Sequence, residues 1–105
     1  IALGNENIFI ADSVLKQVFV LDKNHKHVAT YGDFMRPTSL AYDDANEKLY
    51  VADTLAHKVF AINRNGQVDL VIGERGHGDG QFNLPSHIAI TNDLLYVNIT
   101  ARYHY

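Results

Sequence analysis

The stretch Lys48–Asn63, KLYVADTLAHKVFAIN, decides the fold. It reads as an apolar run (Leu49 to Ala52), a polar break (Asp53 to His57) and a second apolar run (Val59 to Ile62). An earlier copy, NIFIADSVLKQVFVLD, occupies Asn7–Asp22, displaced by 41 positions. The chain therefore repeats itself. A repeat of this length marks a stacked architecture, in which each unit buries its faces against its neighbours.

Outward from this unit, the same alternation of apolar runs and turn clusters covers the chain. Ile1–Leu3, Ile8–Ala11, Val18–Leu21 and His27–Tyr31 form one group, closed by Gly32-Asp33. Ser39–Tyr42, Leu49–Ala52, Lys58–Ile62 and Val68–Ile72 form the second, and His87–Ile90 and Leu94–Val97 open a third. The length differences between copies fall in the connections, as stacking of like units requires. Turn clusters recur too often for helices, and the runs are rich in Val, Ile, Tyr and Phe, so they read as strands. In Leu49–Ala52 and Val59–Ile62 both alternating faces are apolar, which predicts strands covered on both sides. Asn65-Gly66 suits a hairpin turn that needs positive φ, and its counterpart in the first copy is Asn24-His25. Four short strands per unit of about 40–45 residues, covered on both faces, predict the blades of a β-propeller.

The 105 residues are 47% hydrophobic, enough for one small domain and too apolar for a disordered tail. Nine basic and twelve acidic residues leave a net charge of −3, which argues against a nucleic-acid backbone binder. The chain has no cysteine, which excludes a disulfide framework, a thiolate metal site and a cysteine nucleophile. No targeting segment is visible and no apolar run approaches the roughly 18 residues of a membrane span. A soluble domain is expected.

Two motifs carry a family resemblance. Val51-Ala52-Asp53-Thr54-Leu55-Ala56-His57-Lys58-Val59-Phe60 resembles the V-x-D-x-x-N-x-R-V pattern of the NHL-repeat β-propellers. The segment from Gly76 to Ile90, GHGDGQFNLPSHIAI, is similar to that family's G-x-G-x-G-x-F-x-x-P-x-G-I-A-V. The family Asn is replaced by Leu15 and Ala56, and the family Gly by Ser39 and His87. The resemblance implies blades of four antiparallel strands, with residues 1–33 as a first blade and 34–73 as a second. Residues 74–105 would form a crossover loop and a partial third blade. About two and a half blades make a partial propeller or a fragment of a roughly six-bladed one, closed by further blades of the same chain or by other subunits.

No catalytic constellation stands out. Asp12 and Asp53 recur at the start of the turn between second and third strands, where a carboxylate caps backbone N–H groups and meets Lys58 five positions on. Repetition in each unit points to a scaffold role. Gly76-x-Gly78-x-Gly80 lacks the spacing and the following helix of a phosphate-binding loop. No cofactor is evident. Among the NHL-like proteins, peptidylglycine amidating lyases bind zinc through histidines near the propeller axis. By that resemblance His87 is a candidate metal ligand, for zinc or calcium, if other blades supply the rest of the set.

The expected function is a rigid binding scaffold for a protein, a peptide or a small polar ligand. Loops at one end of the blades present the surface, with Ser39, Arg75, His77, His87, Arg102 and Tyr103 as candidate contacts. The alternative is a metal-dependent lyase or hydrolase with its site on the axis.

Overall fold

A computed structural model describes residues 1–73, 85–91 and 94–99 as ten strands, without a helix among them. Strands β1 (Ala2–Gly4), β2 (Asn7–Asp12), β3 (Gln17–Asp22) and β4 (His27–Tyr31) form one antiparallel sheet in that order. Strands β5 (Pro37–Asp43), β6 (Lys48–Asp53), β7 (Lys58–Ile62) and β8 (Val68–Ile72) form a second sheet of the same order. Strands β9 (Pro85–Thr91) and β10 (Leu94–Ile99) pair as a third.

The repeat is a repeat of backbone as well as of sequence. Asp22 Oδ1 accepts from the amides of Asn24 and Lys26, and Asn63 Oδ1 accepts in the same way from Asn65 and Gln67. These side chains shape the β3–β4 and β7–β8 hairpins alike, because a short acceptor can stand in for a backbone carbonyl in a turn. Positive φ recurs at matched positions: Glu6 (61°) and Glu47 (54°), Lys16 (61°) and His57 (59°), His25 (67°) and Gly66 (82°). The expectation that His25 takes the conformation supplied by Gly66 in the second copy is met.

Alternation of side chains across each strand sets the packing. Phe9, Val18 and Val20 of the first sheet are buried against Leu40, Leu49, Val51 and Ile62 of the second. The opposite face of the second sheet, through Ala52 and Val59, packs on Ile88 of the third. The middle strands of the second sheet are thus covered on both sides, whereas β4 and β8 at the outer edges are largely exposed. The first strands of successive sheets approach one another, β1 to β5 and β5 to β9.

The connection between the first two sheets is a loop, as read in the sequence, with one side chain turned into the core. Phe34 is buried there, its ring 5.8 Å from that of Phe60, and it closes the seam from one end. The other end is closed by Tyr42, stacked on Phe9 at 5.2 Å and lying over Gly4.

One face of the first sheet is apolar and is not covered by the described residues. Ile1 and Leu3 are 79% and 71% exposed, and Ile8 and Leu21 lie beside Leu3 in the register. The counterparts of Ile8 and Leu21 in the second sheet, Leu49 and Ile62, are each only 2% exposed because the first sheet covers them.

Candidate functional site

Strand direction divides the molecule into two ends of different chemistry. At the hairpin end lie the turns β1–β2, β3–β4, β5–β6 and β7–β8. Their residues are polar or charged, including Glu6, Lys23, Lys26, Asp44, Glu47 and Arg64. The ion pairs among the described residues belong to this half: Lys23–Glu6 at 3.4 Å, Arg64–Glu47 at 3.2 Å and Lys48–Asp69 at 3.0 Å. Between the sheets at this end is a cavity of about 40 Å³ lined in part by Tyr31, Tyr42, Asn5 and Arg64. It has room for about one water, too little for a ligand. Burial raises the pKa of both tyrosines.

The opposite end, the connection end, carries the β2–β3 and β6–β7 turns and the segments that join sheets. Here Val14, Leu15, Met35 and Leu55 are exposed at 85%, 58%, 53% and 46%. They sit on turns and a connection, where polar side chains are the rule. Hydrogen bonds fix the three segments side by side. The Phe34 amide donates to Lys16 O at 3.3 Å, and the Thr54 amide donates to Arg36 O at 3.0 Å. Asp53, 1% exposed, accepts from the amides of Met35 and Arg36 at 2.8 Å each. In the first copy Asp12 accepts from Val14 and Leu15 at 2.9 and 3.0 Å.

The sequence reading paired Asp53 with Lys58. The two are register partners, but the Asp53 oxygens are taken by the incoming connection, and Lys58 is in no ion pair among the described residues. A buried carboxylate gains more from two aligned amides than from a lysine tip that stays hydrated.

Ser39 Oγ accepts from the Ile88 amide at 3.2 Å, so this hydroxyl joins the second sheet to the third. The Thr54 hydroxyl donates to Pro85 O at 2.6 Å, so its contact with Thr38 at 2.6 Å is a hydrogen bond donated by Thr38. His87 occupies the place of Ser39 in the third sheet, but on the face turned away from the second sheet. It is exposed beside an open hollow of about 280 Å³ lined also by Ala89 and Tyr96. Its Nδ1 is 3.4 Å from Ser86 Oγ. Ser39 and His87 thus stand on corresponding faces of successive sheets, and the Ser39 hydroxyl bonds the amide of Ile88, next to His87. No group of three metal-binding side chains comes together among the described residues. Arg75, His77, Arg102, Tyr103 and the Gly76–Gly80 loop lie outside the described residues.

The residues missed by the sequence reading are Val14, Leu15, Met35 and Leu55. Their signal was present as large apolar side chains within polar breaks. It becomes legible once strand order shows that the breaks share one end.

No family model matches the chain, and no curated protein matches its sequence. Two solved structures are similar in fold. One is titled Kuenenia stuttgartiensis hydrazine synthase, with TM-score 0.76 and 19% identity over 93% of this chain and 28% of that one. The other is Myxococcus xanthus glutaminyl cyclase, with TM-score 0.69 and 18% identity over 93% of this chain and 41% of that one. The chain thus spans less than half the length of either. Both are β-propeller proteins, and the antiparallel four-stranded sheets described above are all-β propeller architecture.

Proposed function

We propose that this chain is part of an NHL-type β-propeller that serves as a rigid binding scaffold, with its recognition surface at the connection end. The observation that carries this reading is the exposure of Val14, Leu15, Met35 and Leu55 on segments whose backbone is fixed by hydrogen bonds. Exposed apolar side chains on a stiff frame lose little entropy on binding, and such clusters mark interaction surfaces. The large exposed apolar side chains near the hairpin end among the described residues, Leu3, Val28, Val68 and Leu94, belong to strands, whereas those of the connection end stand on turns and a connection. A protein or peptide partner suits this surface better than a small polar ligand, which needs a concave pocket lined by converging polar groups.

A second element of the reading concerns the uncovered face of the first sheet. Because its positions match those buried in the second sheet, it is the seat of a further blade, from the same chain or from another subunit.

Peptides selected on the protein from a random display library test the main reading. Their affinity should fall about tenfold or more in a Leu15→Asp, Leu55→Asp variant whose circular dichroism and melting are unchanged. Binders that ignore this variant and respond instead to Lys26→Glu or Arg64→Glu at the hairpin end would refute it.

A further inference from the structure

We infer that the chain associates head to tail with a second copy of itself, the third sheet of one copy covering the first sheet of the next. The inference rests on the reading, given above, of the open face of the first sheet as the seat of a further blade. In each sheet a register pair on one face, here the front, meets the following sheet. These pairs are Ala2–Phe9, Ala41–Tyr50 and Ala89–Tyr96. A second pair, on the back face, meets the preceding sheet: Leu3–Ile8, Tyr42–Leu49 and Ile90–Leu95. The first seam sets Tyr42 and Leu49 against Ala2 and Phe9, with Tyr42 stacked on Phe9. The second seam gathers Leu95 with Ala41 and Tyr50.

Two pairs are left over, and they are the two halves of one more seam. The back pair Leu3–Ile8 is not covered by the described residues. The front pair Ala89–Tyr96 is exposed, as are Leu94 and Thr91 beside it, whereas Ile88, Ile90, Leu95 and Val97 on the other face are buried or half-buried. A sheet face made to meet water would be polar, but Leu94 and Tyr96 are 56% and 53% exposed. The sizes match as well. In the first seam a large ring, Tyr42, lies over Gly4. The corresponding places in the second seam hold Ile90 and Asp43, an aliphatic side chain and a longer neighbour. Head-to-tail association sets Leu3 over Thr91 with Tyr96 beside them, which repeats the sizes of Ile90, Asp43 and Tyr50. Both halves of this seam are written into one chain by its own repeat, so the occupant is a second copy rather than an unrelated sheet. A heterologous contact of this kind must close on itself or grow. Two copies carry six sheets, within the about four to eight that close a propeller, so a dimer joined at two such seams is expected.

The test is sedimentation equilibrium of the chain from micromolar to near-millimolar concentration, which should give twice the chain mass. Leu3→Glu alters only the first-sheet face and Tyr96→Glu only the third-sheet face. Each should weaken association about a hundredfold and leave a single-chain mass, because every seam then carries one buried charge. An equimolar mixture of the two variants should associate again, more weakly than the wild type, since one of its two seams has both native faces. Leu3 and Tyr96 are exposed within one copy, so both variants should keep the wild-type circular dichroism. Leu3→Gln and Tyr96→Gln are the milder pair if either does not.

A single-chain mass for the wild type at every concentration would overturn the inference. So would a Tyr96→Glu protein that still pairs, which would place like faces together, or a mixture of variants that stays apart. The blade-seat reading is tested separately by a dye that fluoresces on exposed apolar surface. A single-chain wild type that binds this dye, and binds it less as Leu3→Glu, has an open face that awaits a blade of a longer chain; the blade-seat reading would then stand alone. A single-chain wild type that binds no dye would sink both.

Discussion

Replacing Gly4 with Ala tests the seam between the first two sheets. A Cβ at this position would stand 2.7 Å from Tyr42 Cε2 and closer still to Cδ2 and Cγ, the root of the ring. The ring cannot retreat freely, because it is stacked on Phe9 at 5.2 Å and 14° between planes. Overpacking of a fitted core costs about 1–3 kcal/mol, and loss of an aromatic stack about 0.5–1.5 kcal/mol. The smaller conformational freedom of Ala in the unfolded chain returns about 0.4–1 kcal/mol. The net expectation is a destabilisation of about 2 kcal/mol. For a domain of this size that lowers Tm by about 8–16 °C. Gly32→Ala is the control, since its added Cβ would meet nothing nearer than Gln17 at 3.9 Å; it should stay within about 0.5 kcal/mol. Thermal unfolding by circular dichroism reads both. In a double-mutant cycle, Tyr42→Ala should make Gly4→Ala cost less than it does alone. A Gly4→Ala protein that melts with the wild type would refute this packing, as would a Gly32→Ala protein that loses as much.

Asp53→Ala should cost about 2–3 kcal/mol in urea unfolding, because it empties a buried position and removes two charge-assisted bonds to the Met35 and Arg36 amides, whereas the partly exposed Asp12→Ala should cost about 1 kcal/mol; equal losses would show that the two repeated acids do the same work. Asp43 is held below its ordinary carboxyl range by the Asn46 side chain, with help from the Asn46 and Ala45 amides. Its contribution is therefore present above about pH 4 and lost as pH falls below it, and Asn46→Ala should flatten the acid limb of a stability–pH curve. Tyr31 and Tyr42 have raised pKa values, chiefly through burial, so their contribution holds below about pH 10 and is lost as pH rises above it. Tyr42→Phe should blunt the alkaline melting loss, and an unchanged curve would contradict the seam packing.

Periodicity made the strands legible. All ten apolar runs are strands, because the copies 41 positions apart share their turn chemistry down to Asp22 and Asn63. Local turn geometry was readable for the same reason, as His25 shows by adopting positive φ at the place of Gly66. What escaped the sequence are contacts across long separations. Asp53 reaches amides 17 and 18 residues earlier, and Ser39 reaches Ile88 49 residues on. Neither partner is a side chain, so neither leaves a mark in residue type. Phe34 was hidden because it is a lone aromatic in a Gly-Asp-Phe-Met-Arg-Pro connection, and only the meeting of two sheets shows that it fills their seam. The candidate surface was readable only in part. The apolar residues within Asp12–Gln17 and Asp53–Lys58 gain meaning only from sharing one end of the sheets with Met35.

Recognition at the connection end is tested most directly by amide chemical-shift mapping of the protein with its tightest selected peptide. The prediction is a contiguous set of shifts at Val14, Leu15, Lys16, Met35, Arg36 and Leu55, on segments joined by the Phe34–Lys16 and Thr54–Arg36 hydrogen bonds. Shifts confined to Asn24–Lys26 and Arg64–Gln67, at the hairpin end, would contradict it.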